Sequence, residues 1–250
     1  MPQPAAAQRD PLSEERAFLA RVSEDYPEIE SETEHALRRA AVRLTRTLLP
    51  PAAEVVELGT ADGYMARLLA PHVARHEIVD AVAFPVARLP ASARFHLCLF
   101  EEFEPERPAD LVIMSLVLEH VLDPVALLAR ARGWLKPETG KILAIVPNMR
   151  ALSRQLARAM GLIAELDVLT ENDRAHGHRR CYDRFRLDRE IAEAGGEVLL
   201  RGGLLLKPFA NFQMDQMIAA GILGEAQMDG LDALAAEYPD LATAIYAVCR

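Results

Sequence analysis

Cysteine is scarce: Cys98, Cys181 and Cys249 are the three in 250 residues, and no two stand in CxxC spacing. An odd, scattered set supports neither a disulfide framework nor a zinc site, and it suits a reducing cytosol. Basic charge is also in deficit. Lys and Arg number 28 against 37 Asp and Glu, a formal net charge of −9. The surface therefore lacks the broad positive field that non-specific binding to a phosphate backbone requires, and nucleic acid is not an expected partner. No apolar run approaches membrane-spanning length, and the start, MPQPAAAQRDPLSEER, has no apolar signal-peptide core. The expectation is a soluble, cytoplasmic protein with no membrane partner. What is present is ordinary for a packed chain: 51% hydrophobic residues can bury a core. This length suggests one domain with appended segments.

Residues 1–10 are rich in Pro, Ala and Gln and read as a disordered lead-in. Residues 11–50 carry apolar positions at helical spacing, stopped by Pro50 and Pro51. Short apolar runs then alternate with helices. EVVELG (54–59), EIVDAVA (77–83), RFHLCLF (94–100), ADLVIMSLVL (109–118) and KILAIVP (141–147) read as strands. YMARLLAPHV and ALLARARGWL read as helices, the second opened by Asp123 as N-cap and Pro124 at the first helical position. Such alternation means βαβ units and a parallel sheet covered on both faces. After Asn148 the regularity lapses. A helix (LSRQLARAMGLIAEL), a polar stretch (TENDRAHGHRRCYD), a helix (RLDREIAEAGG) and a strand or strand pair (EVLLRGGLLLKP) precede a last helix and a final strand, IYAVC. The expected organisation is a lead-in over 1–10, a helical segment over 11–50 and a main domain over 51–250, with an insertion at about 149–185.

The sharpest feature is VVELGTADGYMARLL. A strand ends at Glu57, a turn with glycines follows, and a helix begins. Small residues there let the backbone approach an adenosine-containing ligand at the carboxyl edge of the sheet. Asp80, ending the next strand, is placed to accept hydrogen bonds from ribose hydroxyls. The segment resembles motif I of the class I S-adenosylmethionine-dependent methyltransferases, an acidic residue followed by GxGxG. Glu57 matches the acidic position and Gly59 and Gly63 match glycines, while Ala61 replaces the middle one. A dinucleotide-binding GxGxxG is the nearest rival, and GTADGY fails it at both later positions. ADLVIMSLVLEHVLDP resembles motif II and its following loop. LARARGWLKPETGKILAIVPN resembles the next helix and strand, with Glu138-Thr139 interrupting the usual LKPGG turn.

The resemblance covers roughly residues 50–250. It implies a doubly wound α/β fold, the Rossmann-like methyltransferase fold, with a seven-stranded, mostly parallel sheet, N-terminal helices and a helical insertion after strand five. It implies S-adenosylmethionine as cofactor and S-adenosylhomocysteine as product. Carried over by position, the methionine end of the cofactor lies near Gly59, Thr60, Ala61 and Gly63, with Asp80 holding the ribose. Ala81 and Val82 lie beside the adenine, Phe100 and Glu101 flank its edge, and Ser115 faces the methionine portion.

For the transfer itself the protein must position the acceptor and, for a hydroxyl, remove a proton. His120, after strand four, has the side chain for a base near neutrality. A structural histidine hydrogen-bonding its own loop is the alternative, and the sequence favours it over the base. Glu119 and His120 also resemble a pair found in ubiquinone-type O-methyltransferases that use a divalent metal. Here apolar Leu116 replaces a further acidic residue, and no metal is expected. HGHRRCYD gathers His176, His178, Arg179, Arg180 and Tyr182. The arginines would grip a carboxylate or phosphate, and His178 or Tyr182 would move a proton. A solvated polar loop is the bland alternative. Lys207, Asn211 and Gln213 are candidates for the opposite wall, with Phe209, Phe212 and Met214 as packing.

The function this implies is methyl transfer to an oxygen or nitrogen of a small polar acceptor: a sugar, sugar nucleotide or natural-product intermediate. The alternative is a non-catalytic cofactor-binding partner or regulatory protein, motivated by Ala61 and the interrupted turn. A monomer or homodimer is expected. The N-terminal helical segment and the insertion would form a lid, so that deleting the first forty-odd residues would spare cofactor binding but abolish turnover.

Overall fold

The computed structural model describes residues 10–24, 28–83 and 88–250, so positions 1–9 of the expected lead-in lie outside them. Seven strands form one sheet in the order β3-β2-β1-β4-β5-β7-β6. They are β1 (Ala53–Leu58), β2 (Val73–Asp80), β3 (Ala93–Leu97), β4 (Leu111–Ser115), β5 (Lys141–Pro147), β6 (Val198–Leu204) and β7 (Ala244–Cys249). The first five are parallel, while β7 runs antiparallel to both β5 and β6. Central β4 is buried along its whole length, as a parallel strand covered on both faces must be. The chain winds outward from β1 to β3 and then returns to β4, so a topological switch lies between β1 and β4. Ligands of open α/β sheets bind in the crevice outside such a point.

Helices cover the sheet on both sides. One face packs α4 (Pro124–Gly133) and α7 (Arg184–Glu193) through Leu127, Leu128, Leu187 and Ile191 onto Val56, Val112 and Met114. The other face packs α2 (Glu32–Leu48), α3 (Tyr64–Leu69) and α8 (Asn211–Ala219) onto Val55, Ile113 and Leu143. The remaining helices are α1 (Pro11–Ser23), α5 (Leu152–Ala159), α6 (Glu171–Ala175) and α9 (Glu225–Glu237).

The segment expected as one helical lid is two helices with different burial. Ser31 starts the second: its hydroxyl accepts from Glu34 N–H, and the Glu34 carboxylate accepts from Ser31 N–H at 2.8 Å. Ala36, Leu37, Ala40, Ala41 and Val42 then bury a small-residue face of α2 in the core of the sheet. This corrects the expectation that the first forty-odd residues are dispensable for the cofactor site, because removing α2 would open that core. Only α1 lies over the mouth as a lid would.

Other boundaries moved for local reasons. β2 begins four residues before the expected strand, and β4 stops at Ser115 because Leu116 takes a left-handed backbone, φ +59°. The helix expected over 152–166 closes early, with Gly161 at φ +75° just beyond Ala159. EVLLRGGLLLKP is a single strand in which Gly203 is required. A Cβ there would lie 2.5 Å from the Ala242 Cβ. Helix α8 follows in a stretch where no helix was expected. Among the described residues no helix is long and apolar enough to cross a membrane.

Candidate functional site

A cavity of about 1240 Å³ opens at the carboxyl edge of the sheet, over the switch between β1 and β4. Its first wall is the turn after β1. Gly59 at φ +75° donates its N–H to Val79 O at 2.8 Å, and Gly63 at φ +77° starts α3 while donating to Thr60 O. Ala61 also takes a left-handed backbone, φ +45°, and faces the cavity. This conformation costs a residue with a Cβ about 1 kcal/mol, which is why glycine is the ordinary occupant.

Asp80 closes the turn from the next strand. Its Oδ2 accepts from Thr60 N–H and its Oδ1 from Val82 N–H, both at 3.0 Å. Burial holds its carboxyl above the usual range although these N–H groups pull the other way. Each oxygen retains a lone pair for a ligand. Ala81, Val82, Phe100 and Glu101 continue this wall, and Ser115 ends β4 beside it. Glu57, Thr60 and Gly63, expected at the cofactor, shape the turn from beneath. Glu57 is 2% exposed, with its Oε2 2.8 Å from His76 Nε2 on β2.

Helix α2 adds residues that no motif announced. Arg38 is buried, held by Glu30 at 2.7 Å, and donates through Nη1 to Ser115 Oγ at 2.9 Å. Burial opposes its charge, but the Glu30 carboxylate more than offsets this and holds the guanidinium above its ordinary value. His35 Nε2 lies 2.7 Å from Asp62 Oδ2, stacked on Tyr64 with ring centroids 4.0 Å apart. Asp62 also accepts from Tyr64 N–H at 2.7 Å. Burial would raise its pKa, yet these partners lower it overall. The turn after β1 is thereby tied to α2.

The far wall is built by the loop after β4 and by the insertion. His120 and His178 meet edge to face at 4.7 Å, and both line the cavity. Burial, then the neighbouring His178, pushes His120 down to about 3, so its ring is neutral at neutral pH. His178 is lowered too, by burial, against the pull of Asp173, whose Oδ1 is 3.6 Å from its Nδ1. Glu119 is 1% exposed and lines the cavity, and neither of its oxygens receives a hydrogen bond from another described residue. Burial lifts its carboxyl to about 8. Donor atoms of Glu119, His120 and His178 lie within 4.8 Å of one another. The expectation of no metal weighed Glu119 and His120 alone; the fold adds a second imidazole to that donor set. His176 also lines this wall, its Nδ1 2.8 Å from Asn172 O.

Three residues expected to grip or activate the acceptor are engaged elsewhere. Arg180 donates to Leu118 O at 2.6 Å and to Leu122 O at 3.1 Å. Arg179 donates to His120 O at 2.6 Å and to Glu15 on α1 at 2.7 Å, and lies over the Phe18 ring. Both arginines tie down backbone after β4, because the irregular loop leaves carbonyls that a sheet would have satisfied. Tyr182 is 1% exposed and donates to Glu190 at 2.7 Å. Burial, and then the Glu190 carboxylate, raises its phenol, and its ring packs in the core rather than lining the cavity. Asn211 does face the cavity, where its Oδ1 accepts from Lys207 Nζ. Burial lowers Lys207 to about 8.

A family model of the methyltransferase domain matches residues 30–200. The chain belongs to that methyltransferase family. Solved structures agree on the fold. A Mesorhizobium loti S-adenosylmethionine-dependent methyltransferase is 16% identical, the match covering 84% of this chain and 97% of that one, with a TM-score of 0.57. One from Leishmania major is 12% identical over 96% and 85%, TM-score 0.60. The Burkholderia thailandensis 1,6-didemethyltoxoflavin-N1-methyltransferase, holding 1,6-didemethyltoxoflavin and S-adenosylhomocysteine, is 16% identical over 99% and 93%, TM-score 0.55. No curated protein sequence matches the chain significantly. In this methyltransferase the sequence missed Arg38, Glu30, Glu15 and Asp173. The side chains they pair with lie five to 164 residues away, and no sequence motif signals such a pair.

Proposed function

We propose that this methyltransferase binds S-adenosylmethionine along the turn from Gly59 to Gly63 and on Asp80, and methylates a small acceptor held against His120 and His178. The carrying observation is Asp80. Two backbone N–H groups fix both of its oxygens at the end of β2, where remaining lone pairs suit the two hydroxyls of a ribose. Ala81, Val82 and Phe100 supply an apolar slot beside it for a purine. When bound, the cofactor supplies an electrophilic methyl group on a sulfonium, so the chain's own task is to position and to exclude water. Ser115, held by Arg38, sets the edge of the cavity between the cofactor turn and the acceptor wall.

The neutral rings of His120 and His178 can accept a hydrogen bond from an acceptor O–H or N–H. Helix α1 covers the mouth, fastened by Glu15 to Arg179 on the insertion and by Arg16 to Glu102 near the adenine wall. A cavity of this size has room for the cofactor and one small molecule, since single-ligand pockets run to about 1,000 Å³. The nitrogen-methylating relative from Burkholderia thailandensis supports an acceptor of that scale.

Calorimetric titration with S-adenosylmethionine and S-adenosylhomocysteine tests the reading. Wild type should bind both in the micromolar range. Asp80→Ala should weaken binding roughly 10- to 100-fold, as expected for charge-assisted hydrogen bonds. Failure of the wild type to bind either compound would overturn the proposal.

A further inference from the structure

The proposed function leaves the acceptor's charge open, and the walls of the cavity bear on it. Ten carboxylate side chains line the cavity against four from lysine and arginine. Each of those cations already has a partner: Arg38 holds Glu30, Arg88 holds Glu28, Arg154 holds Asp173, and Lys207 donates to Asn211. A phosphate or carboxylate on the acceptor would therefore meet an acidic enclosure whose cations are engaged. A cation would meet a favourable field.

Acidic lining alone names no ligand, but Glu119 does. It lies four residues beyond the end of β4, 1% exposed on the cavity wall, and receives no hydrogen bond from another described residue. The nearest imidazole nitrogen, His120 Nε2, is 3.8 Å away. Buried polar groups without partners are rare in folded proteins, because each forfeits its hydration without compensation. A group that donates N–H bonds and carries positive charge would satisfy this carboxyl best. The imidazoles of His120 and His178, held neutral by burial, complete a pocket able to accept further N–H bonds.

We infer that the acceptor carries its nucleophile on an amine, recognised as the ammonium by Glu119 together with His120 and His178. This rests on the proposed function and narrows its substrate class to amines. In the transfer the ammonium first loses a proton to solvent. The nitrogen lone pair then forms the N–C bond as the S–C bond breaks and its electron pair stays on sulfur. Glu119 is a recognition residue here, so its loss should raise KM for the acceptor more than it lowers kcat.

The test uses full-length protein saturated with S-adenosylhomocysteine and three probes of one size: benzylamine, benzyl alcohol and benzoate. Benzylamine should bind at least about tenfold tighter than either other probe, the scale of one charge-assisted hydrogen bond. Glu119→Gln, which keeps the shape of the protonated side chain, should erase that preference. Equal affinity for the three probes overturns the inference, and so does a preference that survives in Glu119→Gln. Micromolar binding of Mn²⁺ that is lost in Glu119→Gln would also overturn it by assigning the cluster to a cation. If S-adenosylhomocysteine fails to bind while benzylamine is still preferred through Glu119, the proposed function fails and the amine site stands.

Discussion

The two walls of the cavity are made in different ways. The wall proposed for the cofactor runs from Gly59 to Glu101, through the turn after β1, α3, β2 and β3, and its key contacts are backbone hydrogen bonds to Asp80. The wall proposed for the acceptor draws on α1, α2, the loop after β4, the insertion and α8, and its contacts are side-chain pairs such as Glu15 with Arg179. A wall made of neighbours in sequence tolerates an Ala61 in place of glycine, because the strand ends on either side still hold the turn. A wall made of distant pieces has no such redundancy, since each pair depends on the whole fold having formed.

Arg38→Ala should give the largest effect, because Arg38 joins the two walls. Removing it leaves Glu30, partly buried, without its partner and Ser115 without its donor, a loss of about 3 kcal/mol in urea unfolding. A loss below about 1 kcal/mol, the value for exposed pairs, would break the comparison by making α2 a loosely held lid.

Glu119→Gln sharpens it through pH. Burial lifts the folded carboxyl to about 8, while an exposed one titrates near 4.5. Between these values the folded chain binds more protons than the unfolded chain, so stability falls as pH rises, by up to about 1.4 kcal/mol per pH unit. The variant lacks this loss and should gain on wild type in thermal unfolding as pH climbs through that window. Parallel curves would mean that Arg38 or Arg180 already sustains the carboxylate.

Tyr182→Phe should cost about 1–2 kcal/mol by stripping Glu190 of a hydrogen bond, with turnover within about twofold of wild type. A collapse of turnover at unchanged stability would return Tyr182 to the chemistry. Arg16→Ala should matter least. Its pair with Glu102 is exposed, where solvent screening leaves an ion pair little stabilising effect. Its effect should be confined to a modest rise in acceptor KM as α1 loosens, with affinity for S-adenosylhomocysteine unchanged.

Much of the cofactor wall was legible. Apolar runs of strand length, glycines at Gly59 and Gly63, and an acid at Asp80 follow one another in an order that local backbone geometry enforces. The insertion misled for a physical reason. Two arginines and a tyrosine in HGHRRCYD look like free chemistry in a string of letters. In the fold, Arg179 and Arg180 face the carbonyls of a non-repetitive loop that sheet hydrogen bonding leaves unsatisfied. Helix α8 escaped notice because KPFANFQMDQM shows no amphipathic period strong enough to stand out, and packing of Met214 against the core decides its placement.

By itself, then, the sequence determined the alternating α/β layers, the turn after β1 and the acid that closes it, because periodicity and turn chemistry act over a few residues. Tertiary structure alone decided that Arg38 reaches Ser115, that Tyr182 is withdrawn into the core, and that Glu119 is buried in the cavity wall with no hydrogen bond from another described residue. Whether a buried polar group is satisfied depends on which distant groups the fold delivers to it, and no local pattern carries that information.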